Sequence, residues 1–201
     1  MPRLIKGPIT LKADAWALME REELICYIGI ISSQWATIED RIMHIFSLAM
    51  QTNESLSSVI LDQVHNQTTR LDMICLAIAR TASQELADKF KALHKQIRKR
   101  AGERVKVIHC SWSVHDAFPD EIIRWKGMGD PELNFEAYSK KDFLEIIMRL
   151  LDLEIVLKRY WDELADFVSK QHGHHEQQSQ SQNAKEEECS HPQTSLQEPD
   201  K

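Results

Sequence analysis

Apolar residues recur along this chain with a helical rhythm. Leu24, Ile28, Ile31, Trp35, Ile38, Ile42, Ile45 and Ala49 follow alternating steps of four and three, which aligns them as one stripe on a long helix beginning near Ala17. At 1.5 Å per residue, some 30 residues make a rod of roughly 45 Å. Thr52-Asn-Glu-Ser interrupts the rhythm, and a short helix is predicted over Ser55–Val64. A third, over Thr68–Thr81, carries Leu71, Ile74, Cys75 and Ile78 on one side. The fourth starts with Ser83 as its cap, because a hydroxyl there accepts from an otherwise orphan amide, and runs to about His109.

The last long helix opens at Ser139-Lys-Lys-Asp142, a serine followed three residues on by an acid, which resembles a capping box. Ile146, Leu150, Leu153, Leu157, Tyr160, Leu164 and Phe167 form one row on it. A second row, Phe143, Ile147, Leu150, Glu154, Leu157, Trp161, Leu164 and Val168, widens the stripe and holds one polar member, Glu154. A stripe this wide suits a bundle core or a dimer seam.

Between the fourth and last helices, Ser111–Tyr138 is irregular, with Pro119, Gly127, Gly129 and Pro131 and a short strand readable at Glu121–Lys126. The fold expected is therefore all-α, an antiparallel helical bundle with an irregular loop before its last long helix. With six Gly and six Pro in 201 residues, composition favours helices over a turn-rich sandwich or barrel. Residues 1–16 read as an N-terminal arm and 17–170 as the bundle. Residues 171–201 read as a disordered polar, acidic tail, since almost nothing in them can offset the entropy of ordering.

Charge changes the picture once it is resolved by segment. The formal net charge is -6, but the six acids and two lysines of residues 171–201 supply -4 of it, leaving the body near neutral. The longest apolar run, Leu24–Ile31, is far short of the roughly 20 residues of a spanning helix, and the first residues lack the apolar core of a signal peptide. The protein is expected to be cytoplasmic, without a membrane partner. Cys26, Cys75, Cys110 and Cys189 include no C-x-x-C pair and are read as reduced thiols. His172, His174, His175 and Glu188-x-x-His191 mimic metal-ligand spacings, yet a floppy polar segment lacks the fixed geometry a metal needs, so no metal and no cofactor is expected.

The candidate chemistry lies on the fourth helix. Lys89, Lys91, Lys95, Arg98, Lys99, Arg100, Arg104 and Lys106 stand against one acid, Glu103, a local +7. Clustered cations suit a phosphate backbone through counterion release, and Lys95, Arg98, Lys99, Arg100 and Lys106 are the expected RNA-binding residues; a solvated helix face is the other reading. The apolar row Leu86, Phe90, Leu93, Ile97 continues onto Arg100, Arg104 and Val107. Arginines at a core edge need an anionic partner, either an acid such as Glu39 or a ligand phosphate. Arg104 and His109 are the expected catalytic pair: a guanidinium can hold charge on a phosphoryl group and an imidazole titrates near neutrality, together enough for metal-free RNA cleavage. The phosphate-loop, dinucleotide and serine-hydrolase glycine motifs are absent from the sequence.

Arg104-Val-Lys-Val-Ile-His109, followed by Cys110-Ser-Trp112, resembles the R-x4-H motif of the HEPN superfamily. The chain is similar to bacterial HEPN-like proteins with W-x-x-I-E on the first helix and R-N-x-x-x-H-G-x-W at a later helix end; Trp35-Ala-Thr-Ile38-Glu39 matches the former, and the resemblance covers about Glu22–Ser169. It implies a homodimer whose two R-x4-H segments face one another, and a metal-independent ribonuclease of toxin or phage-defence type, paired with an antitoxin-type protein. Trp35, Glu39 and Trp112 are then supporting residues. Two departures stand out: Val105 replaces a polar residue and Cys110 replaces a glycine, changes of the sort expected where the fold outlives full activity. Two readings thus stay open, an RNA-acting homodimer and a non-catalytic helical interaction module in which Arg104 and His109 are structural.

Overall fold

The computed structural model describes residues 2–5, 11–12, 15–125 and 135–189, with side chains excepted at 15, 17 and beyond 171. In chain order the elements are β1 (Arg3–Ile5), α1 (Ala15–Met19), α2 (Glu22–Met50), α3 (Glu54–Asp62), α4 (Gln67–Thr81), α5 (Gln84–Ile108), β2 (Ser111–Ser113), β3 (Glu121–Trp125), β4 (Phe135–Ser139) and α6 (Lys140–Cys189).

Local chemistry explains the helix ends. α2 stops where Gln51 turns left-handed at φ 51°, and the amides of Gln51 and Thr52 return to the carbonyls of Leu48 and Ser47, which satisfies groups the helix would leave bare. The side chains of Asn53, Asn66 and Ser83 accept from Leu56, Thr69 and Leu86 amides at the starts of α3, α4 and α5. At α6 the amide and hydroxyl of Ser139 both donate to Asp142, while the Asp142 amide donates to the Ser139 hydroxyl. That is the reciprocal arrangement of a capping box, as the sequence predicts.

The expected first helix divides at Glu20 and Arg21, separating α1 from α2. Along α2, Leu24, Ile31, Trp35, Ile38, Ile42, Ile45 and Ala49 are buried and Ile28 is half-buried, so the stripe is the core face. It packs against α3, α4 and α5, and α4 against α5. α6 brings Phe143, Ile146, Leu150, Leu153, Leu157, Tyr160 and Leu164 to the same interior. The Tyr160 ring meets Phe90 at a tilt of 45° with centroids 5.4 Å apart, and its hydroxyl donates to the Leu86 carbonyl of α5. Glu154 is no exception to the pattern: it accepts from the Gln34 amide of α2, so its polar end is satisfied inside the contact.

The all-α expectation needs correction. The chain is mainly helical but also holds a four-stranded antiparallel sheet, in the order β1-β4-β3-β2. The segment read as an irregular loop supplies three strands, with Trp112 opposite Arg124 and Ile123 opposite Ala137. The segment read as an arm supplies the fourth, with Arg3 opposite Ala137, and Lys12 bridges Val114 further on. The short strand read at Glu121–Lys126 is present as β3, over Glu121–Trp125, whereas β1 and β2 have three residues each, too little alternation to be read from one window, and the partner of β1 lies far away in sequence. Trp112, Tyr138 and Phe143 then join sheet to α6 through ring contacts of 5.1 and 5.7 Å.

The chain divides into two units, 1–164 and 165–201. In the second, the backbone of α6 continues helical past Gln171 to Cys189, where the sequence reading places the end of order. The run is rich in Gln and Glu and meets no proline before Pro192; Gly173 is its one residue of low helix propensity, too little to break a helix by itself. The tail's histidine side chains and residues 190–201 lie outside the described residues.

Candidate functional site

α5 ends in a cap made from side chains. Trp112 donates its indole N–H to the Val107 carbonyl at 3.0 Å, and the Cys110 thiol approaches the same oxygen at 3.4 Å. The His109 amide returns to Val105. Trp112 therefore supports the site by closing the helix end and fastening it to Tyr138 and Phe143. Burial pushes the Cys110 thiol up to about 11 despite the Arg124 guanidinium nearby, so this sulfur is a neutral filler rather than a nucleophile.

At that helix end the Arg104 guanidinium lies 3.0 Å from Nε2 of His109. A guanidinium only donates, so Nε2 is the acceptor and the neutral ring carries its proton on Nδ1. His109 is exposed and Arg104 half-buried. Arg104 Nε is buried and has no hydrogen-bond partner among the described residues, which leaves a guanidinium donor uncommitted.

The buried row of α5 is Leu86, Phe90, Leu93, Ile97, Ala101 and Val107, with Arg100 and Arg104 half-buried beside it. Their partners differ from those expected. Arg100 pairs with Glu103 at 2.7 Å, one turn along the same helix, and Arg104 meets His109. Glu39 is exposed beside Arg70 and Gln67, and Trp35 is a core residue, 2% exposed. Among the described residues no hydrogen bond, ion pair or ring contact ties Trp35 or Glu39 to the α5 terminus.

The basic ridge separates into parts. Lys89 is held by Glu163 and Glu85, which keep its ammonium well above its ordinary range, and Lys91 pairs with Asp88. Lys95 and Arg98 point to solvent. Lys99 and Lys106, also exposed, and the half-buried Arg100 line one open cavity of about 330 Å³ between α5, α6 and the sheet. Arg149 of α6 and Glu136 of β4 share its wall. Sequence reasoning missed both: Arg149 is one polar residue among the leucines of a long helix, and Glu136 sits in a strand of five.

Each acid of this cavity is already engaged. Glu103 lies between Arg100 and Arg149, at 2.7 and 3.3 Å. Glu136 pairs with Arg124 at 2.6 Å and accepts from the Tyr138 hydroxyl; Arg124 also donates to the Lys106 carbonyl at 2.9 Å, which ties the wall to the end of α5. Burial, with Glu136 beside it, holds the Tyr138 phenol well above its usual range, so it remains a donor.

No helix among the described residues is long and apolar enough to cross a membrane, and no group of three or more His, Cys, Asp or Glu among them is placed to hold a metal ion. No known protein family, curated protein or solved structure matches the chain.

Proposed function

We propose that this protein is a HEPN-like antiparallel helical bundle that works on RNA as a homodimer, with Arg104 and His109 as a metal-independent cleavage pair. The observation that carries the reading is the 3.0 Å contact between the Arg104 guanidinium and His109 Nε2 at an exposed helix end. In this chemistry the guanidinium turns from His109 to the phosphate when RNA enters, and the Nε2 lone pair it releases takes the proton of a ribose 2'-hydroxyl, whose oxygen attacks the adjacent phosphorus. The guanidinium balances charge on the phosphorane, and the imidazolium returns its proton to the departing 5' oxygen. Products are a 2',3'-cyclic phosphate and a 5'-hydroxyl. Lys95 and Arg98, exposed on the same helix, guide the phosphate backbone. A cytoplasmic protein of toxin or phage-defence type, with an antitoxin-type partner, fits this chemistry.

A second reading, a non-catalytic interaction module, is favoured by one feature of α6. Leu144, Met148 and Ile155, 40%, 57% and 51% exposed, form a stripe on the face opposite its buried row. Such an unpartnered apolar face suits a seam with another chain. Wild type, Arg104→Ala and His109→Ala proteins incubated with RNA in EDTA separate the two. Cleavage by the wild type alone, leaving cyclic phosphate ends, supports the nuclease; intact RNA throughout, with folding unchanged, overturns it. Light scattering tests the homodimer, which has twice the 23.3 kDa chain mass.

A further inference from the structure

We propose that the cavity between α5, α6 and the sheet is a binding site for a phosphate monoester, gripped by Lys99 and Lys106. This goes beyond the Arg104–His109 reading and stands without it.

The inference rests on the balance of charge around one open recess, at whose mouth Lys99 and Lys106 are exposed. Arg100 and Arg149 are neutralised by Glu103, with Glu145 also 3.6 Å from Arg149. Glu136 is spent on Arg124 and Tyr138. Lys99 and Lys106 line the same cavity, and neither has an ion-pair partner among the described residues. What faces the space is therefore an excess of two positive charges, backed by guanidinium–carboxylate pairs that hold the wall rigid.

A phosphate monoester carries nearly two negative charges at neutral pH, because its second ionisation lies near 6, whereas a diester carries one. The charge excess matches the monoester. Lysine suits such a ligand, because its compact ammonium on a flexible stem can follow a tetrahedral anion, as it does in phosphate-binding loops. At about 330 Å³ the space lies at the small end of ligand cavities, enough for a phosphate and a small organic body. Ile146 and Pro2 supply an apolar wall for that body, and Tyr138 lines it as well. A phosphate in such a recess also meets a field focused by low-dielectric walls.

The test uses the full chain in calorimetric titrations at pH 7.5 with inorganic phosphate and ribose 5-phosphate, and with dimethyl phosphate as the monoanionic diester. Both dianions are expected to bind saturably, ribose 5-phosphate more tightly, with dimethyl phosphate at least about tenfold weaker. Lys99→Met and Lys106→Met each weaken ribose 5-phosphate about tenfold, the loss of one charge-assisted contact, while Lys158→Met, exposed on α6 and outside the cavity, changes nothing. A 5'-phosphorylated oligonucleotide compared with its 5'-hydroxyl form tells a strand end from a free small molecule as the source of the group. In the wild type, bound ribose 5-phosphate protects Lys99 and Lys106, but not Lys95, from acetylation, a readout independent of how the variants fold. Absence of saturable binding by either dianion, equal affinity for dimethyl phosphate, or acetylation of Lys99 and Lys106 undiminished by ligand overturns the proposal. None of these readouts depends on RNA cleavage, so the site and the nuclease can fail separately.

Discussion

The guanidinium of Arg104 sits 3.0 Å from Nε2 of His109 across the last turn of α5, and this contact dictates which ring nitrogen carries the proton. Because the guanidinium can only donate, the neutral imidazole is the Nδ1–H tautomer. Long-range ¹H–¹⁵N spectra of selectively labelled histidine are expected to show that tautomer for His109 in the wild type, and its loss in Arg104→Ala. An Nε2–H ring in the wild type would mean the contact does not exist in solution.

Closure of the same helix end depends on Trp112. Its indole N–H donates to Val107 and its ring packs on Tyr138 and Phe143. Trp112→Phe keeps an aromatic ring but removes the donor, and is expected to cost about 1 kcal/mol in urea unfolding. A variant as stable as the wild type would show that the indole hydrogen bond contributes nothing.

Phe90 is fully buried where α5 meets Tyr160 of α6. Phe90→Ala opens a cavity at that junction and is expected to lower unfolding free energy by about 3–5 kcal/mol. Lys95→Ala, on the exposed side of the same helix, should stay within about 0.5 kcal/mol. Similar losses in the two variants would contradict the assigned core face.

Thiol chemistry should rank the cysteines by burial. Cys26 is exposed, while burial raises Cys75 and carries Cys110 to about 11. Iodoacetamide at pH 8, mapped by mass spectrometry, is expected to label Cys26 first and Cys110 last among these three. The linked sign is that the folded state holds the Cys110 proton more tightly than the unfolded one. Its contribution to stability is therefore whole below about pH 8.5 and is lost as pH rises through 11. Rapid labelling of Cys110 at pH 8 would place its sulfur in solvent.

Much of the helical architecture was legible in the chain because its cause is local. The step of four and three along α2 marks the buried face, and Ser83 and Ser139 cap the helices they were expected to cap. Arg104 and His109 could be paired from spacing, since one helix end holds both. Trp35 and Glu39 could not be placed against them from the sequence, and the structure leaves both away from that contact. Arg100 was expected to need an anion from elsewhere, yet Glu103 on its own helix provides it.

By itself, then, the sequence determined where the helices run, which faces they bury and that cations gather on α5, because periodicity, capping and charge are read within one window of chain. Only the tertiary structure decided the sheet and the cavity. β1 pairs with β4 although they stand at opposite parts of the chain, and strand pairing leaves no mark in either segment alone. Lys99 and Lys106 belong to one recess, and Arg100 is bound to Arg149 through Glu103, because α6 and β4 fold against α5. A run of charge states how many cations a helix carries; which are neutralised and which face a recess is settled by the carboxylates that distant segments bring beside them.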